Sequence, residues 1–396
     1  MKEKILSFFR RPFFSDYRTL LGLWLLMALI AALQKMFVPN NNYMMYQAVF
    51  WHVWEQVSLF AHYPLEYWDV NHYGPFFGLV IAPYALLPYF PGRLLWLLTL
   101  AFSLWYAVRK LPLRKWQHVF IYWFCAHELL TALYRSQFNV AIAALVIGTF
   151  WAIEHRRDFW AAFFIMVGTF VKLYGIVGLA FFFFSKNKRQ FIFGLVFWAV
   201  VMFCAPMLIS SPEYVVGQYH EWYVCLLGKN AENLFSMQQN VSVLGMIRKI
   251  SGVATYSDIW ILLPALALFA APYLRIGQYR HSAFRYTLLA SVLMFLVLFS
   301  TGSESSGYIT AFIGICIWYV VAPWKRSCWD IALLVFAFVL SSLSPSDLFP
   351  RWLKLHYVYP YALKAFPVAL IWLKLVWEML TRNYANAERI RPNCNS

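Results

Sequence analysis

The chain alternates long apolar runs with short connectors that are rich in lysine and arginine. Hydrophobic residues make up 62% of the sequence, charged residues make up 13%, and the mean hydropathy is +0.58. A water-soluble chain of this length needs a far more polar surface. Runs of about 20 apolar residues are long enough to cross a bilayer. The sequence therefore predicts an all-α, polytopic membrane protein with a single transmembrane domain over residues 1–396.

The apolar runs predict about twelve crossings. Residues 73–90 contain three prolines, which favours a re-entrant or surface-lying segment. Two crossings form a hairpin bent at Lys172–Gly175, because both of its ends are basic and an even number of crossings is then required. The other ten lie near residues 19–38, 93–108, 118–133, 139–154, 191–211, 259–274, 286–301, 307–323, 328–345 and 362–380.

The positive charges follow the predicted topology. The net charge is +16, and 22 of the 33 lysines and arginines fall in segments assigned to the inside. By the positive-inside rule, this asymmetry orients the chain with both termini, residues 1–18 and 382–396, in the cytoplasm. We expect a multi-pass protein of the plasma (inner) membrane. The predicted membrane topology accounts for the excess of basic residues, so a nucleic-acid partner is not expected.

Two long loops, residues 39–73 and 212–258, fall outside. The first contains no lysine or arginine. Its apolar residues recur at helical spacing and predict a helix in the interface plane, namely Tyr46, Phe50, Val53, Val57 and Phe60. The spacing of His62, Glu66, Asp69 and His72 would suit a metal on a regular helix. Pro64 argues against such a helix, and the cysteines have no metal-ligand spacing, so no metal and no cofactor are expected.

Charged residues near the outer ends of apolar runs indicate a site, because charge at membrane depth is costly. They comprise Glu66, Asp69, Glu128, Arg135, Lys172 and Glu304. Cations and carboxylates on one side suit a phosphorylated, lipid-linked substrate: the cations bind phosphate and a carboxylate acts as general base. The alternative is structural, with Glu128 paired to Arg135 and Lys172 snorkelling to the interface.

Several motifs in this order resemble glycosyltransferase family 87, the polyprenyl-phosphate-dependent mannosyltransferase-like proteins of the GT-C superfamily. Each motif is weak alone, and together they cover roughly residues 40–320. They are Asn42-x-x-x-Tyr46, Tyr73-Gly74-Pro75, Pro83-x-x-x-Leu87-Pro88, Leu95-Trp96, Ser136-Gln137-Phe138-Asn139, Lys172-Leu173-Tyr174-Gly175, Asn240-Val241-Ser242 followed by Arg248, and Ser303-Glu304-Ser305-Ser306.

The resemblance implies an inverting hexosyltransferase with a GT-C-like helical bundle. In such enzymes an acceptor hydroxyl, on a glycan or glycolipid, displaces polyprenyl phosphate on the outer face without a metal. It implies donor and phosphate contacts from Lys172, Tyr174, Arg135, Gln137, Asn139 and Arg248. Further candidates for the site are Asn42, Tyr46, His72, Glu128, Asn240 and Ser242.

The family's expected base is an aspartate at the position of Asn42, and an amide cannot accept a proton at neutral pH. The sequence therefore leaves Glu66, Asp69 and Glu304 as candidate catalytic carboxylates. Two alternatives stay open: a non-catalytic assembly subunit, and a transporter or flippase for a lipid-linked sugar. Paired halves with interrupted helices would favour the transporter, and the sequence shows no such repeat.

Overall fold

The computed structural model describes residues 11–34 and 36–385, and 74% of the chain is helical. These residues include no β-strand, which confirms the all-α, polytopic fold class. The predicted basic residues Lys2, Lys4 and Arg10 and the tail from residue 386 lie outside the described residues. The chain divides into two compact units between Lys229 and Asn230, and the single domain stays a prediction.

The first unit contains ten α-helices and a long 3₁₀-helix among its described residues. The helices are α1 (Tyr17–Gln34), α2 (Asn41–Glu55), α3 (Phe77–Ala85), α4 (Tyr89–Lys110), α5 (Lys115–Phe124), α6 (Ala126–Tyr134), α7 (Asn139–Glu154), α8 (Asp158–Lys172), the 3₁₀-helix Tyr174–Phe184, α9 (Lys188–Cys204) and α10 (Pro212–Glu232). Helix α10 begins in this unit and ends at Glu232, three residues past Lys229, the last residue of the unit.

Three helices of the described chain are long and apolar enough to cross a membrane. They are Tyr17–Gln34, Tyr89–Lys110 and the continuous stretch Lys188–Leu208. Several shorter apolar helices coincide with other predicted crossings, among them α7 and the 3₁₀-helix Tyr174–Phe184. A membrane-spanning helical protein is therefore confirmed, and the number of twelve crossings stays a prediction.

Helix α2 carries the predicted apolar face only as far as its last turn. Tyr46, Phe50 and Val53 are buried on it. The helix ends at Glu55, and Gln56 follows in the left-handed region with φ 57°. Val57 and Phe60 therefore lie beyond the helix, which corrects the sequence prediction for these two residues.

The proline-rich segment 73–90 forms only the short helix α3. Nine residues of α-helix extend about 14 Å, less than half of a hydrocarbon core of roughly 30 Å. The chain then leaves the helix at Leu86, and α4 begins at Tyr89. Helix α3 is thus too short to cross a membrane alone, in agreement with the preference for a re-entrant or surface-lying segment.

The predicted crossing at 118–133 is interrupted at Cys125, where α5 ends and α6 begins. In an unbroken helix the Tyr122 carbonyl accepts a hydrogen bond from the amide of residue 126. Here it accepts one from the indole Nε1 of Trp24, at 3.0 Å. A side chain that inserts into the backbone ladder is a common cause of a kink.

The predicted hairpin between the two basic clusters is confirmed. Helix α8 ends at Lys172, and Leu173 adopts φ 43° before the 3₁₀-helix begins at Tyr174. The two segments pack with their backbones in contact, since a Cβ atom added to Gly175 would lie 2.4 Å from the Ile165 carbonyl oxygen. Glycine at 175 makes this approach possible.

The second unit is also helical. Its described α-helices are α11 (Val243–Ser251), α12 (Ile259–Ala270), α13 (Ser282–Leu298), α14 (Tyr308–Val321), α15 (Cys328–Phe336), α16 (Arg351–Leu353) and α17 (Ala365–Thr381). Helices α13 and α14 are buried along almost their entire length and form its core. A π-helix, Ala337–Leu343, extends α15.

A buried network of charges joins α14, α15 and α17. Both carboxylate oxygens of Glu378 accept a hydrogen bond from Arg326 at 3.1 Å, and Lys374 lies 3.2 Å from the same carboxylate. The Trp318 indole also donates to Glu378, at 2.8 Å. Lys374 pairs in addition with Asp330, at 3.7 Å. Two cations and two anions balance, so burial of the network leaves no net charge.

We predict that Glu378→Gln destabilises the second unit by about 3–5 kcal/mol, because it leaves buried cations without their carboxylate. Thermal unfolding of the purified protein in detergent measures the change. Asp347→Asn is the control: Asp347 is fully exposed and only pairs with Lys354 at 3.6 Å, so no resolvable shift is expected. Equal midpoints for the two variants would refute the importance of the network.

Candidate functional site

Lys172 is the centre of a polar network in the first unit. Its Nζ donates a hydrogen bond to Oδ1 of Asn139, at 3.0 Å. Gln137 Oε1 lies 3.5 Å from both Asn139 Nδ2 and the Tyr73 hydroxyl, and the Tyr73 and Tyr46 hydroxyls are 2.8 Å apart. The fold thus joins Tyr46, the Gln137–Asn139 turn and Lys172, which come from three distant parts of the sequence.

Two aromatic rings flank the Lys172 ammonium. Its Nζ lies 5.5 Å from the ring centroid of Tyr73 and 5.2 Å from that of Tyr174. Cations at such distances are attracted to the negative face of an aromatic ring. The turn that carries Lys172 therefore also supplies Tyr174 to the same network.

The turn between α6 and α7 positions Gln137 and Asn139. Ser136 adopts φ 58° there, a conformation that disfavours side chains. Buried Arg93 holds this turn through its Nε atom, which donates to the Ser136 hydroxyl at 3.2 Å. The other Arg93 nitrogens donate to the carbonyls of Ala31 and Ala32 at the end of α1. A buried arginine thus compensates for the strain of this turn.

A second lysine, Lys229 of α10, lies beside the network. Its ammonium contacts Nε2 of His72, and Nδ1 of His72 lies 3.2 Å from Sγ of Cys225. Lys229 is a donor only, so Nε2 of His72 must accept and Nδ1 carries the proton. Burial, then Lys229, then Lys172 lower the pKa of His72 from 6.5 to about 3. His72 is therefore neutral beside the Lys229 ammonium group.

We call Lys172, Lys229, His72 and Asn139 the lysine cluster. Sequence reasoning missed Lys229, because it lies more than fifty residues from Lys172 in a loop read only for its polarity. The sequence did contain one indication of Lys229: few lysines lie in the segments assigned to the outside, and Lys229 is one of them. Two ammonium groups and an uncharged imidazole in one cluster favour the binding of an anion.

An open groove of about 450 Å³ lies along one face of α2. Glu66 forms its far side, and Nε2 of His52 lies 3.0 Å from the Glu66 carboxylate. The Glu66 side chain is 49% exposed, whereas that of His52 is buried. We call this feature the α2 groove. The described residues that line it are Met44, Gln47, Ala48, Trp51, His52, Glu55, Glu66 and Tyr89.

Asn42 is held as a hydrogen-bond donor near the start of α2. Its Nδ2 donates to the carbonyl oxygen of Arg135, at 2.8 Å. An aspartate would face that oxygen with a carboxylate instead, and two acceptors cannot bond without a proton between them. Arg135 thus contributes its backbone carbonyl to this contact, and its side chain is exposed.

Two further predicted acids are Asp69 and Glu128. Asp69 accepts a hydrogen bond from the amide of Val70, at 2.9 Å, and is half-buried. Glu128 is fully buried in the first turn of α6, where the helix dipole stabilises a negative charge. That position favours a structural role for Glu128, and its expected pairing with Arg135 stays a prediction.

The second unit has its own polar centre. The amide of Val241 donates to the Ser303 carbonyl at 2.8 Å, and the Ser242 hydroxyl donates to Asn240 at 2.7 Å. Lys364, 2% exposed, donates to the Ser305 carbonyl at 3.0 Å, one residue after Glu304. Sequence reasoning missed Lys364, although a lysine at the start of a predicted crossing was visible. These contacts bring Asn240, Ser242 and the loop of Glu304 together.

Arg248 organises a loop of the same unit. It pairs with Asp258 at 2.7 Å and donates to the Ala254 carbonyl at 2.6 Å and the Tyr256 carbonyl at 3.0 Å. The side chain is buried. These bonds hold residues 253–258 against α11. A role in phosphate binding stays a prediction for Arg248, and its contacts favour a structural one.

Comparison with known protein families identifies the class of the protein. The model of glycosyltransferase family 87 matches residues 71–301, more than half of the chain. The protein therefore belongs to glycosyltransferase family 87, and it is a membrane glycosyltransferase. No curated protein matches the chain. The matched region includes the hairpin, the lysine cluster and the Asn240–Ser242 segment.

We predict that Gly175→Ala disrupts the hairpin and displaces Lys172. The added Cβ would meet backbone atoms of Ile165 and Thr169 at 2.4 Å, and such overpacking destabilises by about 1–3 kcal/mol or more. Gly217→Ala, inside α10 with no atom within 4 Å, is the matched control and should stabilise by up to about 1 kcal/mol. Thermal unfolding distinguishes the two. A neutral Gly175→Ala variant would contradict the packing.

We predict that His72 makes the protein sensitive to acid. Its folded pKa of about 3 lies below its ordinary 6.5, so between these values only the unfolded chain binds the proton. Stability should therefore fall as the pH drops below about 6.5. His72→Asn should flatten this dependence, whereas His62→Asn, exposed in the same loop, should not. Midpoints measured from about pH 7.5 to pH 4.5 test this; an unchanged slope for His72→Asn would refute it.

Proposed function

We propose that the protein transfers a hexose, of mannose type, from a polyprenyl-phosphate donor to a glycan or glycolipid acceptor. Transfer takes place on the extracytoplasmic face of the plasma membrane, with both termini in the cytoplasm. The reaction inverts the anomeric carbon and uses no metal. The family match supports glycosyl transfer in general, and the lysine cluster is the observation that supports the phosphate-linked donor.

The lysine cluster has the chemistry that a departing phosphate requires. As the bond between the anomeric carbon and the phosphate oxygen breaks, negative charge develops on that oxygen. Ammonium groups fixed in advance stabilise this charge more than they stabilise the ground state, and so lower the barrier. Lys172 is fixed by Asn139 and two rings, and Lys229 by His72. A neutral His72 adds no charge of its own to the cluster.

The chemical step is a single displacement. The acceptor hydroxyl oxygen forms a bond to the anomeric carbon while the bond from that carbon to the phosphate oxygen breaks. The bonding electrons leave with polyprenyl phosphate, and the hydroxyl proton passes to a carboxylate general base. Attack and departure occur on opposite faces of the sugar, which inverts its configuration.

Glu66 is our candidate for the base. It faces an open groove, its carboxylate is half exposed, and buried His52 orients it at 3.0 Å. A histidine that holds a carboxylate by one hydrogen bond restricts its rotation and keeps an oxygen available for the hydroxyl. Asp69 and Glu304 are the other carboxylates proposed from the sequence, and Glu304 belongs to the second unit.

The test is transfer of radiolabelled mannose from polyprenyl phosphate to membrane glycolipids. Lys172→Met and Lys229→Met should each lower the rate by about a hundredfold or more, as for loss of a preorganised group that stabilises transition-state charge. Lys186→Met is the matched control: it changes an exposed lysine at the far end of the same hairpin and should leave the rate unchanged. Glu66→Gln should lower the rate at least a hundredfold.

Three outcomes would contradict parts of this proposal. Equal rates for Lys172→Met and Lys186→Met would remove the phosphate site from the lysine cluster. A full rate for Glu66→Gln with a large loss for Glu304→Gln would move the base to the second unit. Binding of the donor without transfer to any acceptor would favour the non-catalytic assembly subunit.

A further inference from the structure

We infer that the α2 groove is the acceptor site and that it selects a sugar without phosphate or carboxylate groups. This inference rests on the proposed function and adds the chemical class of its acceptor. It is carried by the geometry of one helix face, by the charge of the loop, and by the rigidity of the groove. Each of these is independent of the lysine cluster.

One face of α2 forms the base of the groove. Six of the lining residues recur three or four positions apart, so they lie on one side of the helix: Met44, Gln47, Ala48, Trp51, His52 and Glu55. Among them Trp51 is 41% exposed. An exposed indole beside an amide and carboxylates is what a sugar requires, because its C–H face packs on the ring and its hydroxyls bond to the polar groups.

The charge of the groove determines which acceptor it favours. Glu55 and Glu66 line it, and the described lining residues include no lysine or arginine. The whole first loop, residues 39–73, also contains neither. Anionic acceptors are therefore repelled, while hydroxyl groups are bound as donors to the carboxylates. The lysine cluster, in contrast, attracts phosphate. The donor phosphate and the acceptor sugar therefore bind at sites of opposite charge.

The groove is rigid because its walls are anchored from behind. Tyr43, Tyr46 and Val53 are completely buried on the opposite side of α2. Asn40 caps the helix by accepting a hydrogen bond from the Tyr43 amide, at 3.1 Å. On the far wall, the amides of Glu66 and Tyr67 both donate to the Tyr63 carbonyl, at 3.0 Å. Little ordering is then required when a sugar binds.

The decisive comparison is between two tryptophans of the same helix. Trp51 lines the groove, whereas Trp54, 57% exposed, lies outside its lining. In nanodiscs free of glycoside detergents, with octyl mannoside as acceptor, Trp51→Ala should raise the acceptor KM about threefold to tenfold, as for loss of one stacked ring. The donor KM should not change. Trp54→Ala should change neither constant.

Charge selection is tested with a second substitution and a matched pair of probes. The wild-type chain should accept octyl mannoside and reject octyl mannoside 6-phosphate. Glu55→Lys should reduce this preference at least tenfold, because it replaces the Glu55 carboxylate with a cation and leaves Glu66, the proposed base, unchanged. An equal preference before and after the change would overturn the inference.

Failure of this inference differs from failure of the proposed function. If transfer proceeds and Trp51→Ala matches Trp54→Ala in acceptor KM, the groove is not the acceptor site and the function stands. If no transfer is observed, saturation-transfer NMR of octyl mannoside still compares the two variants directly. A weaker signal in Trp51→Ala alone supports the sugar site, and equal signals refute it.

Discussion

The close contact between the two halves of the 158–184 hairpin is the constraint on which the candidate site depends. The backbones approach at Gly168 and Gly175, where a Cβ atom added to Gly168 would lie 2.7 Å from the Gly175 Cα. The chain can reverse this sharply only because Leu173 takes a left-handed conformation. The reversal leaves Lys172 as the last residue of α8, beside Asn139 at the start of α7. The position of the ammonium group is thus fixed by backbone packing.

A lysine in such a position is stable because its surroundings replace water. An isolated ammonium in an apolar environment loses several kcal/mol of solvation. Asn139 supplies an acceptor, and the rings of Tyr73 and Tyr174 supply the negative faces of two π-systems. None of these groups is an anion. These uncharged groups replace part of the hydration of the Lys172 ammonium.

Much of this arrangement follows from the sequence, where the controlling interactions are local. Equal charge at both ends of residues 157–185 predicted the hairpin, and the order of weak motifs indicated the family. Contacts between distant residues were not predictable in the same way. Trp24, almost a hundred residues away in sequence, interrupts the helix between α5 and α6. Gln56 ends α2 by adopting a positive φ, and nothing about a glutamine side chain indicates that conformation. Lys229 joins the cluster because α10 packs beside His72, and a single sequence does not reveal that packing.

Asn42 bears on both the fold and the proposed chemistry. The expected aspartate would place its carboxylate 2.8 Å from the Arg135 carbonyl, where the amide of Asn42 now donates. The same bond ties the first turn of α2 to the α6–α7 turn, which carries Gln137 and Asn139. An amide at this position therefore strengthens the support of the lysine cluster, but it removes a base. The proposed function then requires a carboxylate elsewhere to accept the proton, and we propose Glu66, which His52 holds on the α2 groove.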